Sequence, residues 1–144
     1  MLQASVVRDG VSAFEAYLEK AGAEVLQKHG YSWKVRLGRT PEWRDMVIFF
    51  SHYLDIEVDT ERVNHIRQLR HNLTHLRGEL RTPAQQEKFG QNDESNFPNY
   101  RAELSAETVT AVLNDLAVVV HRVDPVAWRF IYGKDRLELN SPER

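Results

Sequence analysis

Residues 105–124 read SAETVTAVLNDLAVVVHRVD, and they decide the fold class. Their valine content suits a strand. The spacing does not: Val109, Val112, Leu113, Leu116, Val119, Val120 and Val123 recur at steps of three and four, which puts them on one side of a helix rather than on alternate sides of a strand. Spacing outweighs propensity, and Ser105 is the natural N-cap. Working outward, Val7, Val11, Phe14, Leu18, Ala21 and Val25 form a second stripe of the same period. It predicts a long first helix that ends near His29 and Gly30. Thr40-Pro41-Glu42 reads as a cap with proline at the first helical position, ahead of Trp43, Met46, Val47, Phe50, Tyr53 and Leu54 on one face. Asp59 or Thr60 caps a third helix with Val63, Ile66, Leu69, Leu73 and Leu76 as its buried stripe, ending at Gly78. After the fourth helix, Asp124-Pro125 reads as the cap and first turn of a short fifth one holding Ala127, Phe130 and Ile131 and ending at Gly133. The expectation is an all-α bundle of four to five helices in a single domain spanning 1–144. A long loop covers about 81–104 and a polar tail about 134–144.

Composition limits what such a bundle does. The 144 residues are 42% hydrophobic, enough for one core. There is no cysteine, which excludes disulfides, thiolate metal sites and cysteine nucleophiles. No stretch approaches the roughly 18 apolar residues of a membrane span, and MLQASVVRDG lacks the basic start and apolar run of a signal peptide. The reading is a cytoplasmic protein without a membrane partner. A net charge of −2 argues against a generally basic, nucleic-acid-coating surface. Positive charge is instead local. From Arg62 to Gly78 there is no Asp or Glu, whereas Arg62, Arg67, Arg70, Arg77, His65, His71 and His75 all fall inside.

Within that segment Arg70-His71-Asn72-Leu73-Thr74-His75 places an arginine and a histidine five residues apart. Metal-independent RNA cleavage needs a base for the ribose 2′-OH, an acid for the departing 5′-oxygen and positive charge beside the phosphorane. Histidine titrates in the right range, and arginine holds phosphate through two hydrogen bonds. His71, Asn72 and Thr74 are placed to support the pair, and Arg67, Arg77 and Arg81 to hold RNA. Taken by spacing alone, an Arg and a His on a polar helix face are ordinary. On an ideal helix they lie about 140° apart, with Arg70 flanking the apolar stripe and Arg67, His71 and His75 pointing away from it. Either the long arginine curls around, or the last turn before Gly78 distorts, or a second copy supplies the missing half, in a two-fold dimer with this helix at or near the interface and apolar contact from a neighbouring helix.

The segment LRHNLTHLRGEL, residues 69–80, resembles the signature of the HEPN superfamily: arginine, a polar residue, then histidine late in the third helix of a small α-bundle. VSAFEAYLEKAGAEVL, residues 11–26, resembles the first helix of the RiboL-PSP-type and related bacterial HEPN domains. The His-x-x-Gly ending at Gly78 and the 105–124 helix fit the same pattern, so the resemblance covers nearly the whole chain. It implies a homodimeric endoribonuclease needing no cofactor or metal, with Arg70 and His75 catalytic and His71 as the polar neighbour. Such domains serve in toxin–antitoxin, phage-defence or RNA-processing systems, which implies an antitoxin or defence protein as partner. Toxins paired with nucleotidyltransferases carry tyrosine two residues after the histidine. Arg77 stands there in this chain, so control through that tyrosine is not expected.

Other readings compete. An inactive HEPN-type module that binds RNA or nucleotides, or holds a protein partner, is the main alternative. His71 and His75 have the i, i+4 spacing of a zinc helix, with His52, His65, Glu79 or His121 as third ligand, but Asn72 stands where a metalloprotease needs glutamate. Lys88, Phe89, Phe97, Tyr100 and Arg101 in the long loop suit base stacking, although a surface insertion anchored by its aromatics is the simpler reading. Glu15, Glu19 and Glu24 read as a solvated helix face, and Trp33, Trp43 and Trp128 as core or interface residues.

Overall fold

A computed structural model of the chain describes residues 2–75 and 105–139. Among these residues the fold is all-α: α1 (Leu2–Lys28), α2 (Trp33–Leu37), α3 (Trp43–Leu54), α4 (Glu61–His75) and α5 (Ala106–Tyr132), with no strand.

The two long helices lie side by side and run parallel. Leu113 packs over Gly10, the Tyr17 hydroxyl donates to Asp124 at 2.8 Å, and His29 lies against Phe130 with ring centroids 6.4 Å apart. Their predicted stripes meet here: Val7, Val11, Phe14, Leu18, Ala21 and Val25 are buried against Val112, Leu116, Val119, Val123, Ala127 and Phe130. Burying such a side chain is worth about 1.5–3 kcal/mol, so this seam dominates the cohesion of the bundle. α3 and α4 pack on α1, and α4 also touches α5. α3 contributes Met46, Phe49, Phe50 and Leu54 to the core, and α4 contributes Val63, Ile66, Leu69 and Leu73.

Local signals set the boundaries. The Thr60 hydroxyl accepts from Val63 N–H at 3.2 Å to start α4, and the Ser105 hydroxyl accepts from Thr108 N–H at 3.1 Å to start α5. Gly30, at φ 83, closes α1 as its sequence position predicts. Asp55 takes the same left-handed turn at φ 57 after α3. That turn swings Ile56 and Val58 into the core.

Three expectations change. The short fifth helix does not exist separately, because α5 continues through Pro125. The buried series Leu116, Val119, Val123, Ala127 and Phe130 keeps its period across the proline, so breaking the helix would unseat its second half from α1. Pro125 and His121 are both exposed, which leaves the His121 carbonyl, deprived of its partner N–H, open to water. α3 starts at Trp43 rather than Pro41, since Asp45 accepts from Glu42 N–H at 2.8 Å and makes Glu42 the cap. The third change is α2, a helix of little more than one turn that no periodic stripe announces. Ser32 accepts from Val35 N–H at 3.1 Å at one end, and Gly38 at φ 75 ends it. Its anchor is Trp33, whose indole N–H donates to the Glu19 carbonyl at 2.9 Å. Because of α2, the third helix expected from the sequence is α4.

The start of the tail is less polar in its setting than in its composition. Leu137 packs against the core, and its N–H donates to His29 Nε2 at 3.3 Å. Gly78, Leu76, the 81–104 segment with Lys88, Phe89, Phe97, Tyr100 and Arg101, and residues 140–144 lie outside the described residues.

Candidate functional site

α4 carries the basic segment, and its burial pattern turns two arginines inward toward α1 and α3. Glu15 of α1 holds both. Its Oε2 accepts from Arg67 Nε at 2.8 Å and its Oε1 from Arg70 Nη1 at 3.1 Å. All three side chains are partly withdrawn from water, at 21% exposure for Glu15, 26% for Arg67 and 28% for Arg70. The Arg67 guanidinium also lies over the Trp43 ring, 4.2 Å from its centroid. Trp43 is supported from behind by Phe14, at a centroid distance of 6.2 Å. Glu15, Arg67, Arg70 and Trp43 wall an open cleft of about 350 Å³, whose lining also includes Ser12, Ala16 and Glu19 of α1, Pro41, and Met46 of α3.

Two sequence readings are corrected by this cluster. Arg67 does not point away from the body of the protein. Its long side chain wraps back to reach Glu15 and Trp43, a reach that an ideal-helix projection of Cβ directions leaves out. Glu15 is not part of a solvated face, because it is the carboxylate between two guanidiniums. Glu19 and Glu24 are exposed, as that reading has them. The sequence does carry one signal for such a carboxylate: seventeen residues from Arg62 to Gly78 hold four arginines and no acid, so a half-buried arginine there needs its counter-charge from another helix. Nothing in the spacing singles out Glu15 from its neighbours on α1.

Arg70 therefore sits at the cleft, flanking the buried stripe as predicted. His71 is exposed on the other side of α4. Asn72 is half-buried, its side chain accepting from Gln68 Nε2 at 3.4 Å. Thr74 and His75 close α4, and their side chains lie outside what is described. Arg77 and Arg81 also lie outside the described residues. The structure thus brings together Arg67 and Arg70 of the predicted set and adds Glu15 and Trp43. The tryptophans divide: Trp33 is core, Trp43 walls the cleft, and Trp128 is 59% exposed. Among the described residues no three His, Asp or Glu side chains converge as a metal site. No helix among them is long and apolar enough to cross a membrane.

Chemically, the cluster is a pair of oriented guanidiniums. A carboxylate that bonds both fixes their planes and offsets one of the two charges. The face they present suits a phosphate group, whose oxygens make the same bonds that the Glu15 carboxylate makes. A carboxyl and a phenol away from the cleft are shifted from their usual ionisation. Arg39 and its hydrogen bond hold the Asp45 carboxyl below its usual range, with Glu42 N–H adding to the effect. Burial, then the hydrogen bond to Asp124, pushes the Tyr17 hydroxyl well above its usual value.

The chain matches no family model, no curated protein and no solved structure.

Proposed function

We propose that the protein is a HEPN-type endoribonuclease that acts as a homodimer and cleaves RNA without a metal ion. The observation carrying this reading is the Arg70 guanidinium, fixed by Glu15 beside Arg67 at an open cleft, within the arginine-to-histidine motif of α4. In this reading His75 takes the proton of the ribose 2′-OH, and the freed oxygen attacks the adjacent phosphorus. The P–O5′ bond breaks, the 5′-oxygen leaves with a proton from the acid partner, and a 2′,3′-cyclic phosphate remains. Arg70 faces the charge that builds on the phosphorane. Arg67, Arg77 and Arg81 hold the flanking phosphates, with His71, Asn72 and Thr74 as supporting groups. The second copy supplies the other half of the acid–base pair, because positions 70 and 75 lie about 140° apart on an ideal helix. A cytoplasmic setting and an antitoxin or defence protein as partner belong to the same proposal.

A second reading has its own support. Glu15 already occupies both arginines, which suits a catalytically inactive module that binds RNA or nucleotides or holds a protein partner. One experiment separates the two. Wild type, Arg70→Ala and His75→Ala are incubated with mixed-sequence single-stranded RNA in excess EDTA, and fragment ends are analysed. Cleavage by wild type alone, leaving 2′,3′-cyclic phosphate, supports the nuclease. RNA intact in all three, with binding weakened by Arg70→Ala, supports the binding module. Equal cutting of DNA would sink the 2′-OH mechanism, since DNA lacks that group.

A further inference from the structure

The cleft holds a second carboxylate that its arginines do not use. Glu15 and Glu19 both line it, four residues and about 6 Å of helix rise apart on α1. Glu15 is engaged by Arg67 and Arg70. The Glu19 carboxylate makes no hydrogen bond or ion pair among the described residues, although its backbone is pinned where Trp33 Nε1 donates to its carbonyl at 2.9 Å. Arg67 is only partly used as well. Its Nε donates to Glu15 while its two terminal nitrogens have no hydrogen bond among the described residues, and Trp43, at 4.2 Å from the guanidinium, holds the plane in place. Ala16, Pro41 and Met46 give the same cleft apolar wall.

These features define the shape of a ligand. It carries an anion for the guanidinium, a flat apolar body for the wall, and N–H donors for a carboxylate one helical turn away. The open space of about 350 Å³ is within the range of small-molecule sites and suits one nucleotide rather than a length of strand. Among the four RNA bases, guanine alone presents two parallel donors on one edge, N1–H and the 2-amino group, and these match the fork of a carboxylate as a guanidinium does. Adenine and cytosine each set a single amino donor beside a ring nitrogen acceptor, and uracil sets its one N–H between two carbonyls. Those acceptors face the carboxylate with like partial charge, so the other three bases are disfavoured as well as less well bonded. Single-stranded RNA exposes this edge for reading.

We propose that the cleft is a guanine site, in which Glu19 accepts from N1–H and the 2-amino group of a nucleotide whose phosphate lies on Arg67. The proposal rests on the cleft taking phosphate, as the nuclease and the RNA-binding readings both have it, and not on cleavage. The test is isothermal titration calorimetry of the full chain with the 3′- and 5′-monophosphates of guanosine, adenosine, cytidine and uridine. Guanosine monophosphate, in at least one of the two isomers, is expected to bind about tenfold or more tightly than the other three. Inosine monophosphate keeps N1–H and lacks the 2-amino group, so it is expected to fall between. Glu19→Gln puts a donor on one arm of the fork and is expected to bring guanosine down to the level of the others, with helix content by circular dichroism unchanged because the side chain is exposed. Arg67→Ala is expected to weaken all four bases alike. Three results would overturn the proposal: equal binding of the four bases, a guanine preference that survives Glu19→Gln, or no binding of any monophosphate at about 10 mM. The two readings fail separately. Guanine preference in a protein that cuts no RNA keeps this site and removes the nuclease, whereas RNA cleavage without a monophosphate preference does the reverse.

Discussion

Three residues show how single side chains set the local physics. Gly22 is required by a close approach: a Cβ there would drive into the Trp33 ring that α2 lays on α1. Gly22→Ala is therefore expected to cost about 1–3 kcal/mol in urea unfolding, despite the better helix propensity of alanine. A neutral or stabilising change would mean that Trp33 shifts freely. Tyr17 gives a pH signature. Its hydroxyl is held protonated in the fold by burial and by Asp124, so its folded value lies above the unfolded 10.0. Below that unfolded value both states keep the proton and the stabilisation is fully present. As pH rises past it, the unfolded chain ionises first and stability falls. Thermal unfolding across the alkaline range is expected to show this decline in wild type and a shallower one in Tyr17→Phe. Glu15 belongs to the cleft. Glu15→Gln removes the charge that offsets Arg67 and Arg70 and loosens their orientation. Under the nuclease reading, RNA binding tightens while turnover drops by on the order of tenfold to a hundredfold, a split that single-turnover kinetics resolves.

At the scale of elements, α5 tests how far a buried stripe overrides a local breaker. Proline in a helix interior costs about 3 kcal/mol, yet α5 runs on because α1 holds both halves of its stripe. Pro125→Ala is expected to stabilise the fold by about 1–3 kcal/mol in chemical denaturation of the dilute protein. A loss of stability would show that the proline ring itself packs usefully. The same balance explains what was legible in the sequence. Long stripes were legible because a period sustained over several turns has few competing explanations, and the described residues of the α1, α3, α4 and α5 stripes face or flank the core, apart from Leu113, which is 38% exposed. Ser105, Thr60 and Gly30 were legible because capping chemistry is local. Pro125 misled because a first-turn signal was read without asking whether the stripe continued beyond it. Pro41 misled because the Asp45 side chain, three residues after Glu42, decides the cap. α2 was invisible because a helix this short has no periodicity, and its anchor on the Glu19 carbonyl is a tertiary contact. In the cleft, Arg70 was legible as flanking the stripe, but Arg67 was set pointing away from it, because a projection of Cβ directions leaves out the reach of a long side chain. Glu15 and Trp43 were not recognised as their partners, since which residues of α1 and α3 face α4 follows from packing rather than from spacing.

At the scale of the whole molecule, charge decides how RNA would be held. A chain of net charge −2 has no general cationic field, so RNA affinity rests on the α4 segment and its continuation. Each phosphate neutralised on a single strand contributes about −0.7 to the slope of log affinity against log salt concentration. With Arg67, Arg70, Arg77 and Arg81 as the contacts, the expected slope is about −3, a loss of roughly fiftyfold between 50 and 200 mM salt. Arg70→Ala is expected to make that slope shallower by about 0.7, whereas Arg136→Ala, past the end of α5, leaves it unchanged. Fluorescence anisotropy with a labelled single-stranded RNA measures these slopes. A slope near −6 at neutral pH would show that about twice as many contacts hold the strand, as when the same arginines of both copies engage it. A slope near zero would mean that the arginines remain engaged by Glu15, and that the cleft does not take phosphate.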